Sequence, residues 1–383
     1  MDLTPDSSLL WPLLHAAGVP DRARIDVVRA GGPAAVLAHG AVNITTRGRA
    51  ECRRLDREQG QRRLSLLAPF LSAGGRIVDD DDSLDRLTAR APALCLYACG
   101  AACLVRHRPL VAIVGARDCD EQGRRSAQAA ARAAVALGAV VVSGGARGID
   151  RAAHEAALAA GGATIAVMGE TARVPQGSLA RLLRCDRGLW LTSFPPWRAP
   201  LEALHAARNV TIAALADVVI VVQGELRSGT GITAAHAERL LVPLLAVPGP
   251  TQARLAATPN ALIAQGRAMA LPTDDDAALR TALAIALDRG TAARTVPETV
   301  PETVPTTLPP CVPPSTAPSP LLALLQNRGG RLLVDDAAQA LCIPLASLLA
   351  EAALHELDGS LVREGSCLVS ARPDAAHCRP HRR

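Results

Sequence analysis

A β-branched run that breaks into glycines and restarts as a helix leaves a chain few folds to choose from. Residues 140–154 are such a run, Val-Val-Val-Ser-Gly-Gly-Ala-Arg-Gly-Ile-Asp-Arg-Ala-Ala-His. Val140, Val141 and Val142 read as a short strand covered on both faces, as in parallel sheets. Gly144, Gly145 and Gly148 allow a tight turn and let a ligand come close to the backbone. Asp150 reads as the N-cap of an alanine-rich helix, Arg151 to Ala160, stopped at Gly161-Gly162. A helix N-terminus behind a glycine loop offers free N–H groups and a partial positive charge, so it suits phosphate. Arg147 adds a full charge on a planar fork.

The same grammar repeats across residues 109–275. Val111 to Val114, Thr164 to Met168, Leu189 to Thr192, Val218 to Val222 and Leu244 to Val247 are further strand candidates, with helical segments between most of them. This pattern predicts an α/β fold: a Rossmann-like, doubly wound, mainly parallel sheet whose ligand crevice lies at the carboxyl ends of the strands. Polar residues collect at those ends. Gly115 and Arg117 follow the first strand, and Ser143 to His154 follow the second. Arg208 and Asn209 open a helix, and Ser228, Gly229 and Thr233 follow the fifth strand.

These motifs, in this order, resemble the DprA/Smf (DNA-processing protein A) family. The family's S-G-x-A-x-G-I-D-x-x-A-H stands here as Ser143 to His154. Its Gly-Ser-Arg is Gly115-Ala116-Arg117, and its S-G-x-x-x-T-A is Ser228 to Ala234. Val247-Pro248-Gly249 and Asn260 to Gly266 close the domain as in the family, and Gly75 to Val78 and Pro92 to Gly100 resemble its lead-in. The sequence departs from the family at Phe194, where an acid is usual, at Val174 in place of Tyr, and at Val210 in place of the second Arg of Arg-Asn-Arg. The resemblance implies single-stranded DNA binding, loading of the RecA recombinase during natural transformation, and a homodimer formed through the Rossmann-like domain. It implies no catalysis. The implied DNA or phosphate contacts are Gly115, Arg117, Ser143, Gly144, Gly145, Arg147, Gly148, Arg208, Asn209, Ser228, Gly229 and Thr233. Asp150 and His154 are expected to be structural, with a ligand contact as the second role for His154.

The flanks read more simply. Residues 1–55 predict a small helical domain, with Leu9 to His15, Ala23 to Val28 and Ala34 to His39 as helices. The Gly18-Val19-Pro20 turn between the first two looks like a helix-hairpin-helix of the SAM-like kind, whose turn amides can contact phosphate. Residues 56–108 form a lead-in segment. Residues 291–320 repeat Val-Pro-Glu-Thr and carry Pro309-Pro310 and Pro313-Pro314, a semi-rigid linker extending about 3.1 Å per residue. Residues 321–371 predict a winged helix, with helices Leu321 to Gln326, one capped by Asp335 or Asp336, and Pro344 to Leu357, then a hairpin turning at Glu364-Gly365. Its third helix carries Glu351 and Glu356 and no Arg, which fits protein contact or core packing better than DNA. Residues 372–383 are expected to be a disordered tail.

Composition narrows the class further. The 383 residues carry a net charge of +5, and every basic side chain among the 41 is Arg. Each basic contact is therefore a guanidinium, although so mild a balance does not by itself imply nucleic acid. No apolar run reaches membrane-spanning length and the first ten residues are no secretory signal, so the cytoplasm is the expected compartment. The 10 Cys contain no C-x-x-C. Cys95, Cys99 and Cys103 could share a helix face, but without a fourth ligand they predict reduced thiols, and neither a metal nor a cofactor is expected. Glu170 and Glu225 both follow strands and could approach each other, yet no nucleophile stands beside a base. Aromatic residues make up 2% of the chain, so base stacking is limited to Trp190, Phe194 and Trp197, for which core packing is the commoner fate. The alternative function is a nucleotide phosphoribohydrolase-like enzyme of related architecture. Its P-G-G-x-G-T-x-x-E loop carries a catalytic Glu that Ser228 to Thr233 lacks.

Overall fold

A computed structural model describes residues 9–46, 49–79, 87, 90, 91, 93–107, 109–183, 186–199, 203–226, 228–295, 320–341, 348, 352, 361–364 and 367–370. The chain divides into two compact units, Met1–Pro297 and Glu298–Arg383.

The first unit is built on a nine-stranded sheet. Its strands are β3 (Gly75–Val78), β4 (Leu96–Gly100), β5 (Leu110–Val114), β6 (Val140–Gly144), β7 (Thr164–Val167), β8 (Gly188–Thr192), β9 (Val218–Val221), β10 (Leu244–Ala246) and β11 (Met269–Ala270). They lie in the order β11-β10-β9-β5-β6-β7-β8-β4-β3. The seven strands from β11 to β8 run parallel. β4 pairs antiparallel with β8, and β3 antiparallel with β4. The sheet thus begins at Gly75, before the expected start at 109, and the lead-in supplies its far edge. The chain proceeds outward from β5 through β8, then returns to lay β9 against the other side of β5. That reversal is the switch point at which doubly wound sheets hold ligands.

The strands are buried on both faces, and alternation along them sorts the core. Ala112, Val114, Val142, Ile165 and Val219 belong to one apolar cluster, while Val111, Ile113, Val141, Ile220 and Leu245 belong to the opposite one. Helices Glu121–Ala136, Ile149–Ala159 and Asp276–Thr295 cover the latter face over β9, β5 and β6.

Over β7, β8 and β4 that same face is covered by the N-terminal segment. Trp11, Leu14, Val27 and Phe70 pack with Tyr97, Ala166 and Trp190 in a single cluster. Arg24, 1% exposed, donates to the Asp79 and Leu94 carbonyls and stacks over Trp11 at 4.1 Å, fastening the segment to the sheet. Helices Leu10–Ala16, Arg24–Arg29 and Gly32–His39 match expectation. Residues 41–46 and 49–54 do not: they pair as antiparallel strands β1 (Ala41–Thr46) and β2 (Arg49–Arg54), with Val42 and Ile44 buried by their alternation. The Gly18-Val19 amides bond the carbonyls of His15 and Leu14, so this turn caps its own helix instead of offering N–H groups to phosphate. Cys95, Cys99 and Cys103 do not share a helix, since Cys99 lies in β4 and Cys103 in a 3-10 turn.

In the second unit, helices Pro320–Asn327 and Val334–Ala340 pack with a three-stranded antiparallel sheet, β12 (Arg331–Leu333), β14 (Cys367–Ser370) and β13 (Leu361–Glu364) in that order. β12 was not anticipated. Asp335 and Asp336 lie inside the second helix, whose cap position is Leu333, so neither is its N-cap. The helix Asp276–Thr295 runs into the expected linker 291–320 and the next helix starts at Pro320; the rest of that linker, most of the expected third helix and the tail 372–383 lie outside the described residues.

Buried His154 and His236, with His15 nearly buried, are expected to make this fold acid-sensitive. Burial pushes His15, His154 and His236 below the ordinary 6.5, and His236 down to about 4 with help from Arg239, whose guanidinium meets its Nδ1 at 2.7 Å. The unfolded chain therefore takes up protons first on acidification. Stability from this source is present above about pH 6.5 and is lost as pH falls toward 4, by up to roughly 1.4 kcal/mol per unit for each histidine. Urea unfolding at pH 7.5, 6 and 5 should show this slope, and His236→Asn, which keeps an acceptor for Arg239, should flatten it. An equally steep profile in the variant would refute the assignment.

Candidate nucleic-acid interface

The carboxyl ends of β5, β6 and β9 present three loops. The loop after β6 is docked against the loop after β5 at Gly148. There the backbone sits at φ 80°, and a Cβ would lie 2.3 Å from the carbonyl oxygens of both Ala116 and Arg117. The Ile149 amide donates to the Ala116 carbonyl at 3.2 Å. This contact puts Arg117 and Arg147 on loops that touch, and both side chains are exposed. The N–H groups of Gly145, Ala146, Arg147 and Gly148 carry no hydrogen bond within the described residues. They lie at the start of the eleven-residue helix Ile149–Ala159. Free donors, a helix N-terminus and two guanidinium groups converge on one rim, which can hold an anion.

Four other expected donors face inward. The Ser143 side chain alternates into the core face and its hydroxyl donates to the Ile113 carbonyl, with the residue 0% exposed. Thr233 bonds back to the Gly229 carbonyl one turn earlier in its own helix. Arg208 is 7% exposed and lies against Gly144, where a Cβ would fall among its guanidinium atoms. Its Nη2 meets Asp150 at 3.4 Å and its Nη1 donates to Asn209 Oδ1 at 2.8 Å. Burial lowers its pKa, with Asp150 opposing and Arg117 adding to the drop. Asn209 in turn donates to the Gly229 carbonyl at 3.2 Å, which links the β6 loop to the β9 loop. Gly144 therefore makes room for Arg208, and Gly145 for the end of Met168.

Asp150 is not the N-cap. Gly148 takes that position, and the Asp150 carboxylate, in the first turn, turns to Arg208 instead. His154 is fully buried and structural in geometry: Nε2–H donates to the Gly144 carbonyl at 2.9 Å, and Nδ1 faces the Thr164 hydroxyl at 2.7 Å. Gly115 packs on Ile149. Ser228 precedes the helix Gly229–Arg239 with no capping bond, and its hydroxyl, buried, has no partner among the described residues.

Sequence reasoning missed two acids here. Asp118 meets Arg147 at 2.9 Å. Asp120 caps the helix Glu121–Ala136 and accepts from Gln223 at 2.8 Å, tying the β5 loop to the β9 loop at the switch point. Asp120 was legible as an N-cap two residues after Asp118, but its partner lies 103 positions away.

Trp190 and Phe194 are 3% and 2% exposed and belong to the interior, and half-buried Trp197 stands edge-on to His15 at 5.7 Å. Glu170 and Glu225 do not approach each other. They follow β7 and β9, separated by β6 and β5, about 14 Å at ordinary strand spacing, and Glu225 pairs with Arg254 at 3.0 Å. Among the described residues no group of three His, Cys, Asp or Glu could hold a metal ion, and no helix is long and apolar enough to cross a membrane.

The profile of the DNA recombination-mediator protein A family matches residues 79–281, more than half of the 383. The chain belongs to that family. It is 35% identical over 224 residues to a putative DNA processing protein DprA of Mycobacterium tuberculosis, covering 54% of this chain and 58% of the relative. It is 40% identical over 144 residues to DNA processing protein DprA of Streptococcus pneumoniae, covering 37% and 51%. The chain thus spans little more than half the length of these relatives. The X-ray structure of the Streptococcus pneumoniae protein superposes with a TM-score of 0.55 at 26% identity, over 71% of this chain and 96% of that one. The family match runs from just after β3 to the helix Asp276–Thr295 and so includes all three rim loops.

Proposed function

We propose that this chain is a recombination mediator that binds single-stranded DNA along the rim formed by the β5, β6 and β9 loops. The observation that carries the reading is the docking at Gly148, which places Arg117 and Arg147 beside a row of unpartnered N–H groups. Phosphodiester oxygens match that set, since backbone amides and guanidinium groups are what proteins use to hold phosphates. Arg117 and Arg147 contact phosphates directly. The Gly229 amide extends the path at the next helix start, with the buried Ser228 hydroxyl behind it. Arg208, Asn209 and Asp150 hold the loops in place behind them. With Trp190 and Phe194 buried, affinity rests on the backbone, and sequence preference is weak.

The wider assignment rests on the family: loading of RecA onto incoming DNA during natural transformation, by a homodimer formed through the Rossmann-like domain. Residues 321–371 are read as a winged helix serving protein contact or core packing, joined by the Pro-rich linker that follows the helix ending at Thr295.

Arg117 has no ion pair among the described residues. Arg117→Ala should weaken binding to homopolymer and mixed-sequence oligonucleotides alike, and should flatten the dependence of log affinity on log salt by about 0.7. Because the side chain is exposed, stability should stay within about 0.5 kcal/mol. Affinity measured from 50 to 300 mM salt with thermal melts alongside decides it. Unchanged affinity and slope would place the DNA path elsewhere.

A further inference from the structure

Asp118 stands on this rim with no packing role. It is 81% exposed, and its carboxylate meets Arg147, itself 74% exposed, at 2.9 Å. The neighbouring acids are engaged elsewhere: Asp120 accepts from the Gly123 amide of its own helix and from Gln223 of the β9 loop, and Glu121 lies against Arg124 and Arg125. Asp118 instead reaches across to the glycine loop, beside the N–H groups left open there. A carboxylate at hydrogen-bond distance from a guanidinium offers the same fork of oxygens and the same sign of charge as a phosphodiester.

We propose that Asp118 is an internal competitor for Arg147: its carboxylate occupies the place a DNA phosphate takes and must be displaced when a strand binds. The inference rests on the strand-binding reading and goes beyond it by dividing the two arginines. Arg117 meets phosphate as a free cation, whereas Arg147 exchanges one anion for another. An exposed ion pair contributes little, so displacement is possible, but its cost sets the affinity. Counterion release at Arg147 is also muted, because its charge is already balanced by protein.

The test uses the full chain, a 20-residue thymidine oligonucleotide, and the variants Asp118→Asn, Arg147→Ala and the double variant, each titrated across salt. Asp118→Asn should bind roughly fivefold tighter, the scale of an exposed pair. Its salt slope should steepen by about 0.7, because Arg147 then releases a counterion of its own. Arg147→Ala alone should change the slope less than Arg117→Ala does, and adding Asp118→Asn to it should shift affinity by less than twofold. Thermal melts should coincide, as both side chains are exposed. Wild-type affinity in Asp118→Asn overturns the proposal. So does a gain that survives in the double variant, which would show that Asp118 acts through net charge and not through Arg147. If no form of the chain binds the oligonucleotide at low salt, the strand-binding reading itself fails and takes the proposal with it.

Discussion

Gly148→Ala should destabilise the first unit by roughly 3 kcal/mol or more, and should abolish most of the affinity for a single strand. Two costs add. The backbone at φ 80° and ψ −127° lies where side-chain-bearing residues rarely go, at about 1–3 kcal/mol. The new Cβ would also stand 2.3 Å from two carbonyl oxygens of the β5 loop, and neither is the movable end of a side chain. The loops must separate, and Arg117 is carried away from the open N–H groups. Gly145→Ala is the control. Its Cβ would clash with the Met168 thioether end, which can rotate away, and would meet Leu179 at ordinary contact distance; Gly145 has no positive φ, so under about 1 kcal/mol is expected. Urea unfolding and oligonucleotide titration of both variants test the claim. Equal losses at the two positions would mean that flexibility of the loop, not docking at Gly148, matters.

Arg208→Met should be the most destabilising exchange of a polar residue in the rim. It leaves the Asp150 carboxylate, 4% exposed, without its counter-charge, and stranding a buried charge costs about 3–5 kcal/mol. It also removes the guanidinium that fills the space over Gly144 and the bond to Asn209. Adding Asp150→Asn should restore part of the stability, because an amide is far less costly to bury unpaired than a carboxylate. The two changes should therefore be strongly non-additive. Binding separates a positioning role from a phosphate contact. The double variant, once folded, should lose affinity without flattening its salt slope, whereas Arg117→Ala flattens it. A slope reduced by about 0.7 would return Arg208 to the set of phosphate ligands.

How these arginines divide also marks the boundary between what the sequence determined and what required the fold. The parallel sheet was legible because its signals are local. Valine runs such as 140–142 and 218–222 can be buried on both faces only inside a covered sheet, and glycine loops recur at their ends. The motif residues were found for the same reason, as they sit within a few positions of a strand end. The β1–β2 pair was missed because the second strand, Arg-Ala-Glu-Cys-Arg-Arg, has only Ala50 and Cys52 as apolar residues and no β-branched one, so pairing with β1 makes it a strand. β12 was missed because three residues have too little pattern to announce pairing with β14.

Within the rim, sequence identified the residue types but not the direction each side chain takes. Arg117 and Arg208 read alike in the chain, yet one is exposed and the other is enclosed between Gly144, Asp150 and Asn209. The difference arises because Arg208 starts a helix that packs under the loop, whereas Arg117 leaves a strand that ends at solvent. Asp118 beside Arg147, Asp120 beside Gln223 and His154 beneath Gly144 are likewise contacts between separate loops and strands. The strand order that puts β9 against β5 and the Gly148 docking bring them together. Sequence spacing constrains neighbours along a helix or strand, but contacts across the sheet are settled only when the whole core is packed.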